Sequence, residues 1–228
     1  MTNKPIYISR FCFWAPGLET DEDLALFARG EKEVSCVSAV PSLPFVPMLL
    51  RRRMSDVTKM AVYVNHFVSD GLPPAKITFA SEYGEVRLQL KISDHLIETD
   101  TVSPAAFSLS VFNVPVSCST IVEKNMEGYS AAYAGKHSFE YGLRDCASAL
   151  MLGDGEERIF LFSDELVPDV YEPVVDRYPN VPCALALRLT TVKTEGAVEL
   201  DMDGLPDTTF AAEQAVFFAK KLLGGVQK

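Results

Sequence analysis

Residues 128–150 read Gly-Tyr-Ser-Ala-Ala-Tyr-Ala-Gly-Lys-His-Ser-Phe-Glu-Tyr-Gly-Leu-Arg-Asp-Cys-Ala-Ser-Ala-Leu, and this stretch decides the fold. Tyr129 to Ala134 has the small and aromatic composition of a short buried strand. Gly135 marks a sharp turn, because a residue without Cβ lets the backbone bend tightly. From His137 the period changes: Phe139, Gly142, Leu143, Cys146, Ala147 and Leu150 recur at three- and four-residue steps, the spacing of one helix face. Strand, tight turn and buried helix make an elbow of the kind that projects a nucleophile from a helix N-terminus. Here no nucleophile stands at its tip. Cys146 falls mid-helix among Leu143, Ala147 and Leu150, the place of a small core thiol.

Working outward, Ile6 to Trp14 is a β-branched and aromatic run ending at Ala-Pro-Gly, which predicts a first strand and a turn. Thr20 with Asp23 forms an N-cap pattern for a short helix through Arg29, stopped by Gly30. Val34 to Pro47 is punctuated by proline and reads as an ordered loop. Leu49 to Ser55 leads into a helix carrying Val57, Met60, Ala61 and Val64. Ile77 to Ser81 is a core strand; the turn Ser81-Glu-Tyr-Gly-Glu follows, then a helix through about His95. Ser103-Pro104 opens an apolar segment, Phe107 to Ile121, with alternating small polar residues. Arg158 to Phe162 and Cys183 to Thr190 are continuous apolar runs of the kind buried on both faces of a sheet. Thr191 to Asp207 is polar and turn-rich. Asp207 or Thr208 caps a terminal helix with Phe210, Ala215, Phe218 and Leu222 on its apolar side, ended by Gly224-Gly225. The expectation is a single α/β domain over residues 1–228: a mixed, mostly parallel five-stranded sheet with helices on both faces.

Composition sets the limits of function. With 228 residues and 48% hydrophobic content the chain can bury a sizeable core. A net charge of -10 argues against nucleic acid and anionic membrane as partners. The five cysteines, at 12, 36, 118, 146 and 183, show no CxxC pairing, which suits reduced thiols rather than disulfides or zinc. The N-terminus runs into a strand with no apolar leader, and no apolar run is long enough to span a bilayer, so a cytoplasmic location is expected. No P-loop, G-x-G-x-x-G or HExxH motif occurs, and neither a metal nor a cofactor is expected. His66 and His95 read as solvated or capping residues near the ends of surface helices, and His137 has no Ser, Cys or carboxylate partner placed by the sequence. Asp164 and Glu165 read as loop charges.

Three segments, Leu50–Ser55, Ser103–Asn113 and Gly128–Leu150, resemble the N-terminal half of β-ketoacyl synthases, condensing enzymes of the thiolase fold. The resemblance extends from Ile6 to about Leu189 and implies one half of a thiolase-like fold. In it Lys136 falls on the position of the nucleophilic cysteine, within one residue of register. The histidine-bearing half would begin about where this chain ends. The combination is similar to small chain-length-factor proteins of aryl polyene clusters.

The resemblance implies a non-catalytic subunit that pairs with a complete β-ketoacyl-ACP synthase and shapes its acyl tunnel, meeting the acyl carrier protein only indirectly. It implies a partner interface at Tyr129, Ala131, Ala132 and Tyr133, and a tunnel gate at Phe107, Phe112 and Asn113. It also makes the basic cluster Arg51, Arg52 and Arg53 a docking patch for a carrier protein. Plainer readings stand beside these: Phe107 and Phe112 as ordinary core, and the arginines as a solvated helix start paired with carboxylates. Two other functions stay open, a residual malonyl-carrier decarboxylase and a self-contained structural or regulatory homodimer.

Overall fold

The computed structural model describes residues 5–171, 181–208 and 210–226. Five of its strands are those expected from the sequence: β1 (Tyr7–Trp14), β2 (Lys76–Ala80), β3 (Tyr129–Ala132), β4 (Glu157–Asp164) and β5 (Cys183–Thr190). A sixth, β6 (Val198–Glu199), lies in the stretch read as turn-rich; two residues carry no alternation to detect. The helices are α1 (Asp21–Ala28), α2 (Met48–Arg51), α3 (Asp56–Ser69), α4 (Val86–Thr99), α5 (Pro104–Ser108), α6 (Val114–Glu123), α7 (Ser138–Met151) and α8 (Ala211–Val226). Most of the loop read over 165–180 lies outside the described residues.

The sheet order is β3-β2-β4-β5-β1-β6. β2 pairs in parallel with β3 and with β4, while the β4–β5, β5–β1 and β1–β6 pairings are antiparallel. β1 to β4 therefore point one way, and β5 and β6 the other. Every residue of β5 is buried, as its unbroken apolar run predicts. Alternation divides it cleanly. Leu185, Leu187 and Leu189 enter the core beneath α7 and α8, whereas Ala184 and Ala186 enter the core beneath α3.

The local signals act as physical chemistry requires. Thr20 and Asp23 close a reciprocal capping box on α1, and the Ser55 hydroxyl accepts from the Thr58 N–H at the start of α3. The segment 107–121 departs from its reading: it holds the helices α5 and α6. Pro104 and Pro115 sit in their first turns, where a missing N–H costs nothing. α8 departs too, since it continues through Gly224-Gly225 to Val226. Among the described residues, no helix is long and apolar enough to cross a membrane.

α7 lies close against β2 and β4 because Gly142 presents no side chain there. A Cβ on Gly142 would stand 2.7 Å from Ala80 Cβ and 3.1 Å from the Phe160 ring. Gly142→Val is expected to destabilise the protein by about 2–3 kcal/mol through overpacking. Gly224→Ala, in a helix with open space around it, is expected to be neutral or slightly stabilising. Urea unfolding of the two variants measures the contrast.

Candidate functional site

The elbow lies where β3 runs out at the carboxyl end of the parallel strands, the end at which open α/β sheets place their ligands. β3 stops at Ala132, two residues earlier than its composition predicts. Gly135 then turns the chain with φ +54 and opens a 3-10 turn, Gly135–His137, that leads into α7. The buried Ser138 hydroxyl accepts from the Ala134 N–H at 3.0 Å and braces the bend. Lys136 occupies the tip. Its Nζ is tied to Asp207 Oδ1 at 3.1 Å, and this contact lowers the Asp207 carboxyl from its usual range. His137 stacks on Tyr141, with ring centroids 5.2 Å apart, and has no hydrogen-bonded acid beside it among the described residues.

Four of the five thiols are chemically quiet. Cys146 is fully buried and burial pushes it up to about 11, Cys118 likewise to about 11 and Cys12 to about 12. Cys183 is raised as well, by the same cause. A thiol held protonated at neutral pH is not an acyl acceptor. Among the described residues, no cluster of three His, Cys, Asp or Glu is arranged to hold a metal ion.

β3 is an edge strand, and its two sides differ. The Ile77 N–H donates to the Gly128 carbonyl, and Ile77 lies level with Tyr129. In a parallel ladder this register turns the backbone groups of Gly128, Ser130 and Ala132 toward β2, and those of Tyr129 and Ala131 outward. Ala132 therefore differs from Tyr129 and Ala131, the residues expected beside it at an interface. It pairs inward, and its Cβ lies on the Gly142 side of the sheet. Tyr129 and Tyr133 are on the opposite face and exposed, at 40% and 58%.

The same face collects part of the expected gate. The Tyr129 hydroxyl lies 2.7 Å from Asn113 Nδ2 and 2.8 Å from Ser117 Oγ, fastening the strand to the start of α6. Phe112 meets Tyr133 edge-on with centroids 4.1 Å apart, and packs on Phe79 at 5.6 Å. The structure thus joins Phe112, Asn113, Tyr129 and Tyr133 into one surface. Phe107 stands apart on α5, exposed rather than core. The three arginines are not neutralised as a solvated helix start would be. Arg51 donates to the Leu43 carbonyl at 2.9 Å, while Arg52 and Arg53 are exposed with no ion pair among the described residues. Arg51, Arg52 and Lys59 line a shallow cavity of about 350 Å³ against the proline-rich loop.

Sequence reasoning missed a set of buried carboxylates beneath this surface. Asp164 and Glu165 are not loop charges: Asp164 ends β4 and both are about 98% or more enclosed. Asp164 accepts from the Ser81 hydroxyl at 2.5 Å and from the Glu82 and Tyr83 N–H groups at 3.0 and 3.2 Å. Glu85 takes the Ser55 and Thr58 hydroxyls, each at 2.7 Å, and so holds the start of α3. Glu165 takes the Arg87 N–H in the first turn of α4, and Glu82 takes the Ala211 N–H that opens α8. The expected local cap of α8 at Asp207 or Thr208 is replaced by this distant acid. Their position, directly after apolar strands, was the available signal.

The sequence model of the β-ketoacyl synthase N-terminal domain matches residues 28–217, and the chain belongs to that family. The fold is that of solved relatives. A chain of the structure of a ketosynthase, ApeO, in complex with its chain length factor, ApeC, from Xenorhabdus doucetiae superposes with TM-score 0.82 at 24% identity, over 97% of this chain and 92% of that one. The ishigamide ketosynthase/chain length factor matches with TM-score 0.67 at 12% identity; 86% of this chain covers 64% of that one. A β-ketoacyl synthase from Burkholderia phymatum gives TM-score 0.64 at 11% identity, over 97% and 71% of the two chains. No curated protein sequence matches it.

Burial gives this end of the sheet a distinctive pH response. Desolvation raises Asp164 to about 7, Glu165 to about 8 and Glu85 to about 6. In the unfolded chain such groups lose their protons near pH 4, so above that value the folded state binds more protons than the unfolded one. Stability should therefore fall as pH rises from about 4.5 to 8 and level off beyond. Thermal midpoints at pH 5.5 and 8.0 are expected to show the lower value at pH 8.0, with a smaller difference in Glu165→Gln.

Proposed function

We propose that this protein is a non-catalytic, chain-length-factor-type subunit that pairs with a complete β-ketoacyl-ACP synthase and shapes its acyl tunnel. The observation that carries the reading is the outer edge of β3. It is short, apolar and uncharged, with outward N–H and C=O groups at Tyr129 and Ala131 and none of the lysine, proline or charge that usually blunts a solvent edge. The elbow, with Lys136 tied to Asp207 and the buried thiols Cys118, Cys146 and Cys183 held protonated, supports a structural rather than a catalytic part. A lysine at that tip would serve a decarboxylase poorly, because an enolate needs a convergent pair of donors. The likeness to a structure titled as a ketosynthase with its chain length factor supports the class of partner.

On this reading Phe112 and Asn113 form the wall that the partner's acyl chain meets, with Phe107 further out on α5. Arg51, Arg52 and Arg53 offer the basic ground where an acidic carrier protein approaches the assembled pair. The cytoplasm, where acyl carriers and reduced thiols coexist, is the compartment this role calls for, and synthesis of an aryl polyene-type chain is the pathway we assign to it. The same edge would also serve a homodimer, and assembly measurements separate the two.

Ala131→Pro tests the edge. Proline there removes an outward donor and leaves the β2 ladder intact, as edge strands tolerate. The variant is expected to stay folded but to lose the complex with the co-expressed ketosynthase in size-exclusion chromatography, whereas Ala132→Pro should unfold the strand itself. A wild-type protein that remains monomeric with excess ketosynthase overturns the reading.

Phe107→Ala and Phe112→Ala test the tunnel. Each should lengthen the products of the reconstituted pair, as read by mass spectrometry. Unchanged lengths in an assembled double variant return both rings to a packing role.

A further inference from the structure

A second cavity, of about 380 Å³, lies between the end of β1, the proline-rich loop and α3. Trp14, Glu19, Phe45, Tyr63, His66 and Phe67 are on its wall. The rings form a continuous surface. Phe45 stacks on His66 with centroids 3.7 Å apart, His66 meets Phe67 edge-on at 5.6 Å, and Tyr63 meets Phe67 at 4.8 Å. The volume is in the range that encloses a small ligand.

Its electrostatics select the ligand's charge. No lysine or arginine lines it, and the Glu19 carboxylate at its rim makes no ion pair among the described residues. Asp21 is close enough to act on the Tyr63 phenol, although burial is the larger cause of that group's raised pKa. The one basic side chain, His66, has Nδ1 2.9 Å from the Glu123 carboxylate. Aromatic faces and uncompensated acid favour a cation whose own hydration is weak, as substituted ammonium ions are.

Two polar atoms indicate a second feature of the ligand. Trp14 is 4% exposed and Tyr63 is half-buried; neither the indole N–H nor the phenol hydroxyl makes a hydrogen bond among the described residues, and neither atom is sealed from solvent. Such donors are readily matched by an acceptor on a ligand. A ligand with an oxygen near its ammonium would supply that acceptor in place of water.

We propose that this cavity binds a small substituted ammonium ion carrying a hydroxyl or similar oxygen, with the charge on the aromatic wall near Glu19 and the oxygen toward Trp14. The site lies away from the proposed pairing edge, because β1 is separated from β3 by three strands of the sheet.

The chain has one tryptophan, and it is Trp14, so fluorescence under tryptophan-selective excitation reports on this cavity. The probes are choline and its neutral isostere 3,3-dimethylbutan-1-ol, titrated into the full chain with sodium chloride holding ionic strength constant. Choline is expected to produce a saturable change, with affinity at least about tenfold above that of the alcohol. Glu19→Gln, an exposed position, and Phe67→Ala, half exposed, should each weaken choline binding about threefold or more while leaving the folded state intact by circular dichroism. No saturable response, equal binding of the alcohol, or unchanged affinity in both variants overturns the proposal.

Discussion

Four buried carboxylates at one end of the sheet are the constraint on which the rest depends. An acid enclosed in protein is unfavourable unless its oxygens are satisfied, and here the available donors are helix starts. Asp164 gathers the turn at Ser81–Tyr83, Glu85 takes the hydroxyls at the head of α3, Glu165 the first turn of α4 and Glu82 the first residue of α8. Helices on both faces of the sheet are thereby anchored where β2 and β4 end. In this chain that end of the sheet is occupied by structural polar contacts.

That arrangement helps to hold the elbow between β3 and α7 whichever residue stands at its tip. Its geometry is set by packing rather than by reactivity. Gly142 lets α7 approach Ala80 and Phe160, Phe139 lies among Phe160, Phe162 and Phe218, and Ser138 braces the turn. None of these contacts involves the residue at the tip. Lys136 is then free to face solvent and pair with Asp207, an exposed contact that contributes little to stability.

What could be read from the sequence follows the range of the interactions involved. The five longer strands were legible because their signals are local: β-branched runs, the unbroken apolar run Cys183–Thr190, and glycine at the turns. α1 and α3 were legible from Thr20 and Ser55. The α5–α6 region was not, because Pro104 and Pro115 look like breakers unless they are recognised as first-turn residues, and Val114 and Val116 favour strands in isolation. β3 was legible as an apolar segment, yet which of its residues face outward depends on the register with β2. A one-residue change in register would have exchanged Ala131 and Ala132. The carboxylates were the least legible, since Asp and Glu after a strand look like loop residues until distant helix starts are brought to them. His66 likewise read as a solvated residue, and it is instead held between Phe45 and Glu123.

The edge of β3 gathers these threads into one physical question. A four-residue strand beside a single neighbour is weakly held by its own ladder, so its side-chain anchors matter: the Tyr129 hydroxyl on Asn113 and Ser117, and Tyr133 on Phe112. Those anchors all lie on the α6 face. They hold the strand against the start of that helix and leave the outward groups of Tyr129 and Ala131 without a neighbouring strand. Natural edges are usually twisted away, shortened or charged to prevent pairing. This one is short, but it is neither charged nor shielded, and two tyrosines with polar ends flank its row. On the proposed reading such an edge would become part of a continuous sheet when a complementary strand arrives. The contacts of Tyr129 and Tyr133 would then hold the pairing edge and the aromatic wall at Phe112 in one surface, and so couple assembly to the shape of whatever lies against Phe112.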